Sequence, residues 1–189
     1  MKVDISSGLL ATARQSPSPH CDDRPPGATL DLIVVHGISL PPGQFGGPWI
    51  DALFHGTLPA DADPYFADIV GMRVSAHIMI RRSGEIVQYV PFHRRAWHAG
   101  VSCYQGRERC NDYSVGIELE GADNVAYTEP QYRRLTIVCR ALRQAYPSLG
   151  SAPIVGHCHI APGRKTDPGP AFDWVHFERL MTGSGRSMV

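Results

Sequence analysis

The stretch that decides the fold is residues 30–36, which read LDLIVVH. The run is almost continuously apolar and rich in β-branched residues, a pattern typical of a strand buried on both faces of a sheet. Residues 37–48 follow as a loop rich in Gly and Pro. A loop of this length inside a compact domain is more often functional than idle. The stretch therefore predicts a central strand that ends at His36 and opens into a functional loop.

Further strands are predicted on the C-terminal side of this one. Residues 75–80 and 85–90 flank a turn over 82–84 (RSG), which favours a hairpin. Residues 114–120 (SVGIELE) alternate between apolar and other residues, which is typical of a strand with two different faces. A last short strand is predicted over 154–157. These strands give the central sheet its partners.

The clearest helix is predicted over residues 129–146. Thr128 and Gln131 match the capping-box pattern at its start, and an apolar stripe recurs at helical spacing along it. Further short helices are predicted over 49–54, 64–70 and 172–181. The order of these elements predicts one α/β (α+β) domain, in which a mixed central β-sheet is flanked by helices. Residues 30–181 form this domain, with an N-terminal arm (1–29) packed on it and a C-terminal tail (182–189).

Composition narrows the class of protein. The 189 residues hold 18 Lys+Arg and 18 Asp+Glu, so the formal net charge is zero. Nucleic-acid binders usually carry a basic excess, and no apolar run approaches the ~20 residues of a membrane span. We therefore expect that the protein binds neither nucleic acid nor a membrane. No signal-peptide core is present, and five cysteines without a CxxC pair fit a reducing compartment, so we expect a cytoplasmic protein. We also expect a monomer.

Several polar residues stand where a site can form. His36 and His157 each end a predicted strand before an irregular loop, and Asp167 lies in a nearby Asp-Pro-Gly turn. Each alone reads as a structural residue, but two imidazoles and a carboxylate together suit zinc. If the last strand continues, His157 and His159 share a face and form an alternative metal pair.

A second group of residues is suited to catalysis or substrate binding. Glu118 lies in an apolar strand, where a carboxylate is costly without a partner or a role. Glu120 shares its face, so periodicity does not choose between them. The other candidates are a cation near Asp167, an aromatic surface and two carboxylate-binding arginines, each of which can equally be an ordinary surface or core residue: Lys165, Trp97, Arg73 and Arg109.

A series of motifs in fixed order resembles a known family. The motifs are LIVVH (32–36), VSAH (74–77), RAWHAGVS (95–102), GRERCND (106–112), GIELEG (116–121), GHC (156–158), IAP (160–162) and RKTDPG (164–169). From about residue 16 to 177 the chain resembles the AmpD-type 1,6-anhydro-N-acetylmuramyl-L-alanine amidases. These belong with the zinc amidases related to peptidoglycan recognition proteins and phage T7 lysozyme.

The resemblance implies a set of site residues. In this sequence the zinc ligands are His36, His157 and Asp167, where many relatives outside the AmpD type have Cys as the third ligand. The catalytic carboxylate is Glu118, the first of the pair, and Lys165 accompanies it. Two positions depart from the usual pattern: residue 37 is Gly instead of Asn, and residue 159 is His instead of Asp.

The resemblance also implies a reaction. It predicts zinc-dependent hydrolysis of the amide between the N-acetylmuramyl lactyl group and L-alanine of 1,6-anhydromuropeptides, in cytoplasmic peptidoglycan recycling. Loss of such enzymes induces β-lactamase in some bacteria. Glu118 and Lys165 are the expected catalytic residues, with Arg73, Trp97 and Arg109 as substrate contacts. Two alternatives stay open: a non-catalytic muropeptide-binding protein, and an amidase acting on non-anhydro peptidoglycan.

Overall fold

The computed structural model describes residues 1–183. Within that range most strands are short and the longest helix follows the strand at 114–120. The strands are β1 (Val3–Asp4), β2 (Leu9–Leu10), β3 (Arg14–Gln15), β4 (Cys21–Asp23), β5 (Leu32–Ile38), β6 (Ile78–Ile80), β7 (Ile86–Gln88), β8 (Arg94–Ala96), β9 (Cys103–Tyr104), β10 (Arg107–Glu108), β11 (Ser114–Glu120) and β12 (Ile154–Gly156); the helices are α1 (Trp49–His55), α2 (Glu129–Ala145), α3 (His157–Ile160) and α4 (Trp174–Thr182).

A six-stranded sheet forms the centre of the domain, in the order β12-β5-β11-β6-β7-β3. The first four of these strands run parallel, whereas β7 pairs antiparallel to β6 and closes the predicted hairpin. The first five residues of β5 are fully or almost fully buried, because neighbours cover both of its edges and both faces of the sheet are packed. The predicted mixed sheet flanked by helices is confirmed.

Strand register brings the ends of three parallel strands together. His36 on β5 pairs with Glu118 on β11, and Val35 pairs with Gly156 at the end of β12. The residue after Gly156 therefore emerges beside His36. Ligand sites of open α/β sheets lie outside such carboxyl ends, and here that edge collects two imidazoles and a carboxylate.

Helix α2 covers one face of the sheet. Its predicted capping box is present, with the Gln131 backbone N–H on Thr128 and the Gln131 side chain on the Thr128 backbone N–H. Its apolar stripe packs into the largest core cluster with the odd-numbered side chains of β11. The even-numbered side chains of β11 therefore face the opposite side of the sheet, and Glu118 is among them.

Two predictions about local structure are wrong. The strand predicted to include His157 ends at Gly156, and His157 begins α3. The Gly156 backbone N–H donates to His159 Nδ1 at 3.0 Å, so His159 caps a turn and does not share a strand face with His157. The helix predicted over 64–70 is a 3₁₀ turn, Pro64–Asp68.

The N-terminal residues contain structure that the sequence pattern did not predict. Strand β3 adds to the edge of the central sheet beside β7, and β4 pairs with β8. Strands of two or three residues are too short to show periodicity, so the sequence pattern predicts only an arm over residues 1–29. In the predicted tail, Thr182 belongs to α4, while residues 184–189 lie outside the described residues. None of the described helices has the length and hydropathy needed to cross a membrane.

Candidate metal centre

Three ligand atoms converge at the carboxyl edge of the sheet. His36 Nδ1 lies 3.0 Å from His157 Nδ1, and Asp167 Oδ2 lies 3.3 Å from the first and 3.1 Å from the second. Both imidazoles are buried, whereas the Asp167 side chain keeps 15% exposure. The fold thus brings together all three predicted ligands from β5, α3 and the loop before α4.

The outer nitrogens of the two histidines show why this cluster suits a cation. His157 Nε2 lies 3.2 Å from the carbonyl oxygen of Ala99, and His36 Nε2 lies 2.9 Å from His98 Nδ1. A neutral imidazole that donates from Nε2 keeps its lone pair on Nδ1. Two lone pairs and a carboxylate oxygen then point at one another without a hydrogen between them, which is an arrangement that a metal ion completes.

Distances and donor types fit zinc. Ligand atoms about 2.0–2.1 Å from a tetrahedral zinc ion stand roughly 3.3 Å apart. The three measured separations, 3.0, 3.1 and 3.3 Å, lie near that value. Two imidazoles and one carboxylate also form a three-ligand set of the kind found in catalytic zinc sites, which keep one position open.

Glu118 lies next to this cluster and is not satisfied by the protein. Its Oε1 is 4.0 Å from His36 Nδ1, and its Oε2 is a buried atom without a hydrogen-bond partner among the described residues. A buried polar atom without a partner costs free energy. Glu120 has the same face of β11 but several partners, so the structure separates two residues that the pattern left equivalent.

Burial sets the protonation preferences of the site. Burial raises the pKa of Glu118 well above its ordinary value, and the Asp167 carboxylate adds to the effect. Burial lowers the pKa of His36 to about 4. Burial alone would raise the pKa of Asp167, but its contacts with His157 and His36 hold it below its ordinary value. The site therefore favours a neutral His36 imidazole, an ionised Asp167 and a Glu118 that readily holds a proton.

A groove of about 520 Å³ opens over the cluster. Glu118, His157 and Asp167 line it together with Lys165 and Trp97. The Trp97 indole N–H donates to Asp22 at 3.0 Å, which fixes the ring against the N-terminal segment. Both the predicted cation and the predicted aromatic surface are therefore beside the candidate metal centre.

The two predicted arginines occupy different places. The Arg73 guanidinium lies over the ring of the groove residue Trp97, 5.1 Å from its centroid, but Arg73 itself does not line the groove. Arg109 instead lines a separate pocket of about 490 Å³ beside residues 100–103 and pairs with Asp112 at 3.1 Å. The structure thus does not bring Arg109 to the lining of the metal groove.

Gly37 stands where the resemblance leads one to expect Asn. A Cβ atom at this position would lie 2.3 Å from the hydroxyl oxygen of Tyr127. That hydroxyl donates to the Pro168 carbonyl at 2.9 Å. Tyr127 therefore occupies the space beside Gly37 and holds the backbone that follows the candidate ligand Asp167.

Sequence reasoning missed His98. In the sequence the residue stood out only as part of the RAWHAGVS motif, yet its ring contacts His36 and lines the groove. A usable signal was present in β11: a Cβ at Gly116 would lie 2.3 Å from His98 Cγ. A glycine inside a strand often marks a close approach of another group.

Comparison with known proteins agrees with this geometry. A model of the N-acetylmuramoyl-L-alanine amidase family (Amidase_2) matches residues 26–170. The chain belongs to this amidase family. It is 63% identical over 180 residues to the 1,6-anhydro-N-acetylmuramyl-L-alanine amidase AmpD of Citrobacter freundii, an alignment that covers 95% of this chain and 96% of that protein. The predicted AmpD-type relationship and the prediction of an amidase enzyme are confirmed.

The fold of this amidase is similar to that of solved amidase structures. A crystal structure of an AmpD derivative is similar with a TM-score of 0.91 and 63% identity, covering 95% of this chain and 99% of that one. The amidase AmiD from E. coli, solved with anhydro-N-acetylmuramic acid-L-Ala-D-gamma-Glu-L-Lys, is similar with a TM-score of 0.57 and 26% identity, covering 83% and 60%. The predicted amidase fold is thereby confirmed.

Proposed function

We propose that this amidase hydrolyses the amide bond between the N-acetylmuramyl lactyl group and L-alanine of 1,6-anhydromuropeptides. The observation that carries the proposal is the convergence of two imidazole lone pairs and the Asp167 carboxylate beside the unpartnered Glu118. The 63% identity to a 1,6-anhydro-N-acetylmuramyl-L-alanine amidase supports the substrate class. The groove supplies an aromatic wall and a cation within reach of a peptide bond.

His36, His157 and Asp167 are the residues that would hold zinc. When bound there, zinc supplies Lewis acidity, which activates water and polarises the scissile carbonyl. Outer hydrogen bonds from the two histidines keep their inner nitrogens free for this role. The ionised Asp167 adds negative charge to the ligand set.

Glu118 is the proton carrier in this proposal. Its carboxyl lines the groove, lacks a hydrogen-bond partner among the described residues, and has a pKa raised by burial. It takes a proton from the attacking water and returns it to the nitrogen of the leaving L-alanine. The Lys165 ammonium stabilises the negative charge that develops on the carbonyl oxygen.

The substrate contacts form the less constrained part of the proposal. Trp97 packs against the sugar or the peptide, and Arg73 above its ring meets a carboxylate of the stem peptide. Arg109 lies in the neighbouring pocket, so it contacts the substrate only where the peptide extends past residues 100–103. We propose that the active unit is a monomer, because the candidate metal cluster and the groove residues all come from one chain.

The first test measures metal content and hydrolysis together. We expect purified protein to bind one zinc and to release the peptide from anhydro-N-acetylmuramyl-tripeptide faster than from intact peptidoglycan. His157→Ala should abolish both zinc binding and release. The matched control His159→Ala should retain both, because His159 contacts the Gly156 backbone and the Trp174 ring rather than the ligand cluster. Zinc binding without hydrolysis would favour a muropeptide-binding protein, and preference for intact peptidoglycan would favour the other amidase class.

The cellular part of the proposal is a cytoplasmic role in peptidoglycan recycling. All five cysteines are free thiols in the structure, which accords with a reducing compartment. Loss of the enzyme would then let anhydromuropeptides accumulate and would raise β-lactamase expression in a host that carries an inducible enzyme. Fractionation and a β-lactamase assay in a deletion strain test this, and unchanged muropeptide levels would contradict it.

A further inference from the structure

Two consecutive residues, His98 and Ala99, contact the outer nitrogens of both histidine ligands. His98 Nδ1 lies 2.9 Å from His36 Nε2, and the Ala99 carbonyl oxygen lies 3.2 Å from His157 Nε2. We call these two residues the wall segment. Neither belongs to the proton carrier, the cation or the ligand set, so the proposed reaction leaves their role open.

The wall segment fixes which nitrogen of each ligand carries its proton. A ligand nitrogen must present a lone pair, so each imidazole carries its hydrogen on Nε2 and donates outward. His98 accepts at Nδ1 and therefore donates from its own Nε2, which lies 3.3 Å from Ser114 Oγ. The Ser114 hydroxyl donates in turn to the Cys110 carbonyl at 2.5 Å. Every hydrogen bond in this series has one donor and one acceptor, and the series ends at the backbone carbonyl of Cys110.

One side-chain oxygen accepts hydrogen bonds from both residues of the wall segment. Asn111 Oδ1 accepts from the His98 backbone N–H at 3.1 Å and from the Ala99 backbone N–H at 2.8 Å. The backbone of Asn111 is itself fixed, because Arg24 donates to the Asn111 backbone carbonyl oxygen at 3.0 Å. A single amide therefore contacts the backbone of both acceptors, and Arg164 also donates to the Ala99 carbonyl at 2.6 Å.

Strand β11 makes room for this arrangement. The His98 ring lies against Gly116, where a Cβ atom would approach its carbons to 2.3–2.5 Å. The ring cannot move toward the sheet, and Asn111 prevents its backbone from moving away. The wall segment is thus held from both sides at the positions that meet the ligands.

We propose that Asn111 is a positioning residue for the metal: through the wall segment it orients both His36 and His157 and thereby sets the affinity of the site for zinc. This inference rests on the proposed zinc site. The geometry links one amide oxygen to both imidazoles, and changes of such outer partners typically cost about 10–100-fold in metal affinity.

The test measures zinc affinity by competition with a chelator. Asn111→Ala removes the acceptor and should weaken zinc binding about 10–100-fold, the range for loss of an outer partner. Asn111→Asp retains an acceptor oxygen in the same place and should restore affinity close to that of the wild type. Arg107→Ala is the matched control: on β10, four residues before Asn111, it removes an exposed ion pair with Asp31 and should leave zinc affinity unchanged.

A second readout separates orientation from stability. With Co²⁺ in place of zinc, the visible absorption spectrum reports the ligand geometry, and Asn111→Ala should change it while Asn111→Asp does not. If Asn111→Ala fails to fold, His98→Phe keeps an aromatic ring but removes the acceptor for His36 and the donor to Ser114. It should still weaken zinc binding about tenfold, at the low end of the outer-partner range.

Three results would overturn the inference. They are wild-type zinc affinity and Co²⁺ spectrum in Asn111→Ala, no recovery in Asn111→Asp, or wild-type affinity in His98→Phe. Failure of the wild type to bind zinc would instead refute the proposed function on which the inference depends. The two failures are therefore distinguishable in the same titration.

Discussion

Two buried carboxylates on one face of β11 have opposite surroundings. Glu120 accepts from the Gly46 backbone N–H at 2.6 Å, from Arg81 at 3.2 Å and from the Arg82 backbone N–H at 3.1 Å. Glu118, two residues earlier, has one oxygen with no such partner in the described part of the chain. The same residue type on the same strand is thus compensated at one position and uncompensated at the other.

The difference teaches how to separate structural from functional charge. Arg81 pairs with Glu120 at 3.2 Å and with Asp51 at 3.0 Å, and Asp51 also pairs with Arg14 at 3.0 Å. Each carboxylate of this network therefore has an arginine partner. Around Glu118 the neighbours are the His36 imidazole, the Asp167 carboxylate and the Lys165 ammonium, and none of them forms a hydrogen bond with Glu118 Oε2. Burying charge without a partner is costly, and a site that tolerates the cost needs a cation or a substrate to offset it.

The largest expected effect comes from removing a ligand of the uncompensated cluster. Asp167→Ala leaves two imidazoles facing each other without the anion that holds the metal. We expect zinc affinity to fall by more than the ~10–100-fold typical of an outer partner, with loss of muropeptide hydrolysis. Chelator competition and a peptide-release assay check this. Retained zinc with full activity would show that the cluster is not the metal site.

The next effect breaks the compensated network. Glu120→Gln removes the negative charge that faces Arg81, and both side chains are buried, at 3% and 10% exposure. Breaking one side of a buried pair costs roughly 3–5 kcal/mol, and we expect about 3 kcal/mol because Arg81 retains Asp51. Urea unfolding measures this loss. A variant as stable as the wild type would remove the contrast between the two carboxylates.

A smaller effect sharpens the comparison at the surface end of the same network. The Arg14 side chain is 43% exposed where it pairs with Asp51 and Glu85. Exposed pairs contribute about 0–1 kcal/mol, so Arg14→Ala should lower the free energy of unfolding by less than 1 kcal/mol. A loss of unfolding free energy as large as that of Glu120→Gln would mean that the stabilisation from these ion pairs does not decrease with their exposure.

The smallest effect concerns pH at the wall of the groove. Hydrogen bonds from Arg95 lower the pKa of Asp22 to about 2. Since this folded pKa is below that of the unfolded chain, the pair stabilises the fold above about pH 4 and loses that contribution as the pH falls toward 2. Asp22→Asn should flatten this small acid slope in unfolding experiments between pH 5 and 2. An unchanged slope would contradict the assignment.

The sequence predicted most of what depends on local pattern. The runs predicted at 30–36, 114–120 and 129–146 are long enough to show their pattern, and they form Leu32–Ile38, Ser114–Glu120 and Glu129–Ala145. The central strand continues two residues past its predicted end at His36. Strands β3 and β4 have two and three residues and form only because the central sheet and β8 offer an edge. No local pattern carries that information.

The candidate site divides in the same way. His36 and His157 were identifiable because parallel strands end at one edge, and the motif order pointed to Asp167. The choice between Glu118 and Glu120 depends on Arg81 and the Gly46 backbone, which are distant in sequence, so periodicity alone left it open. His98 and Asn111 lie in an irregular stretch, where spacing does not show which residues meet.

The measurement that tests the central claim most directly is a pair of experiments on Glu118→Gln. The account predicts a fall in muropeptide hydrolysis of about 10²–10⁴-fold, the usual contribution of a proton carrier, with zinc retained and no loss of unfolding free energy in the metal-free protein. Glu118 has no partner to lose on its Oε2 side among the described residues. Wild-type hydrolysis combined with destabilisation as large as that of Glu120→Gln would show that Glu118 is a structural carboxylate and would contradict the account.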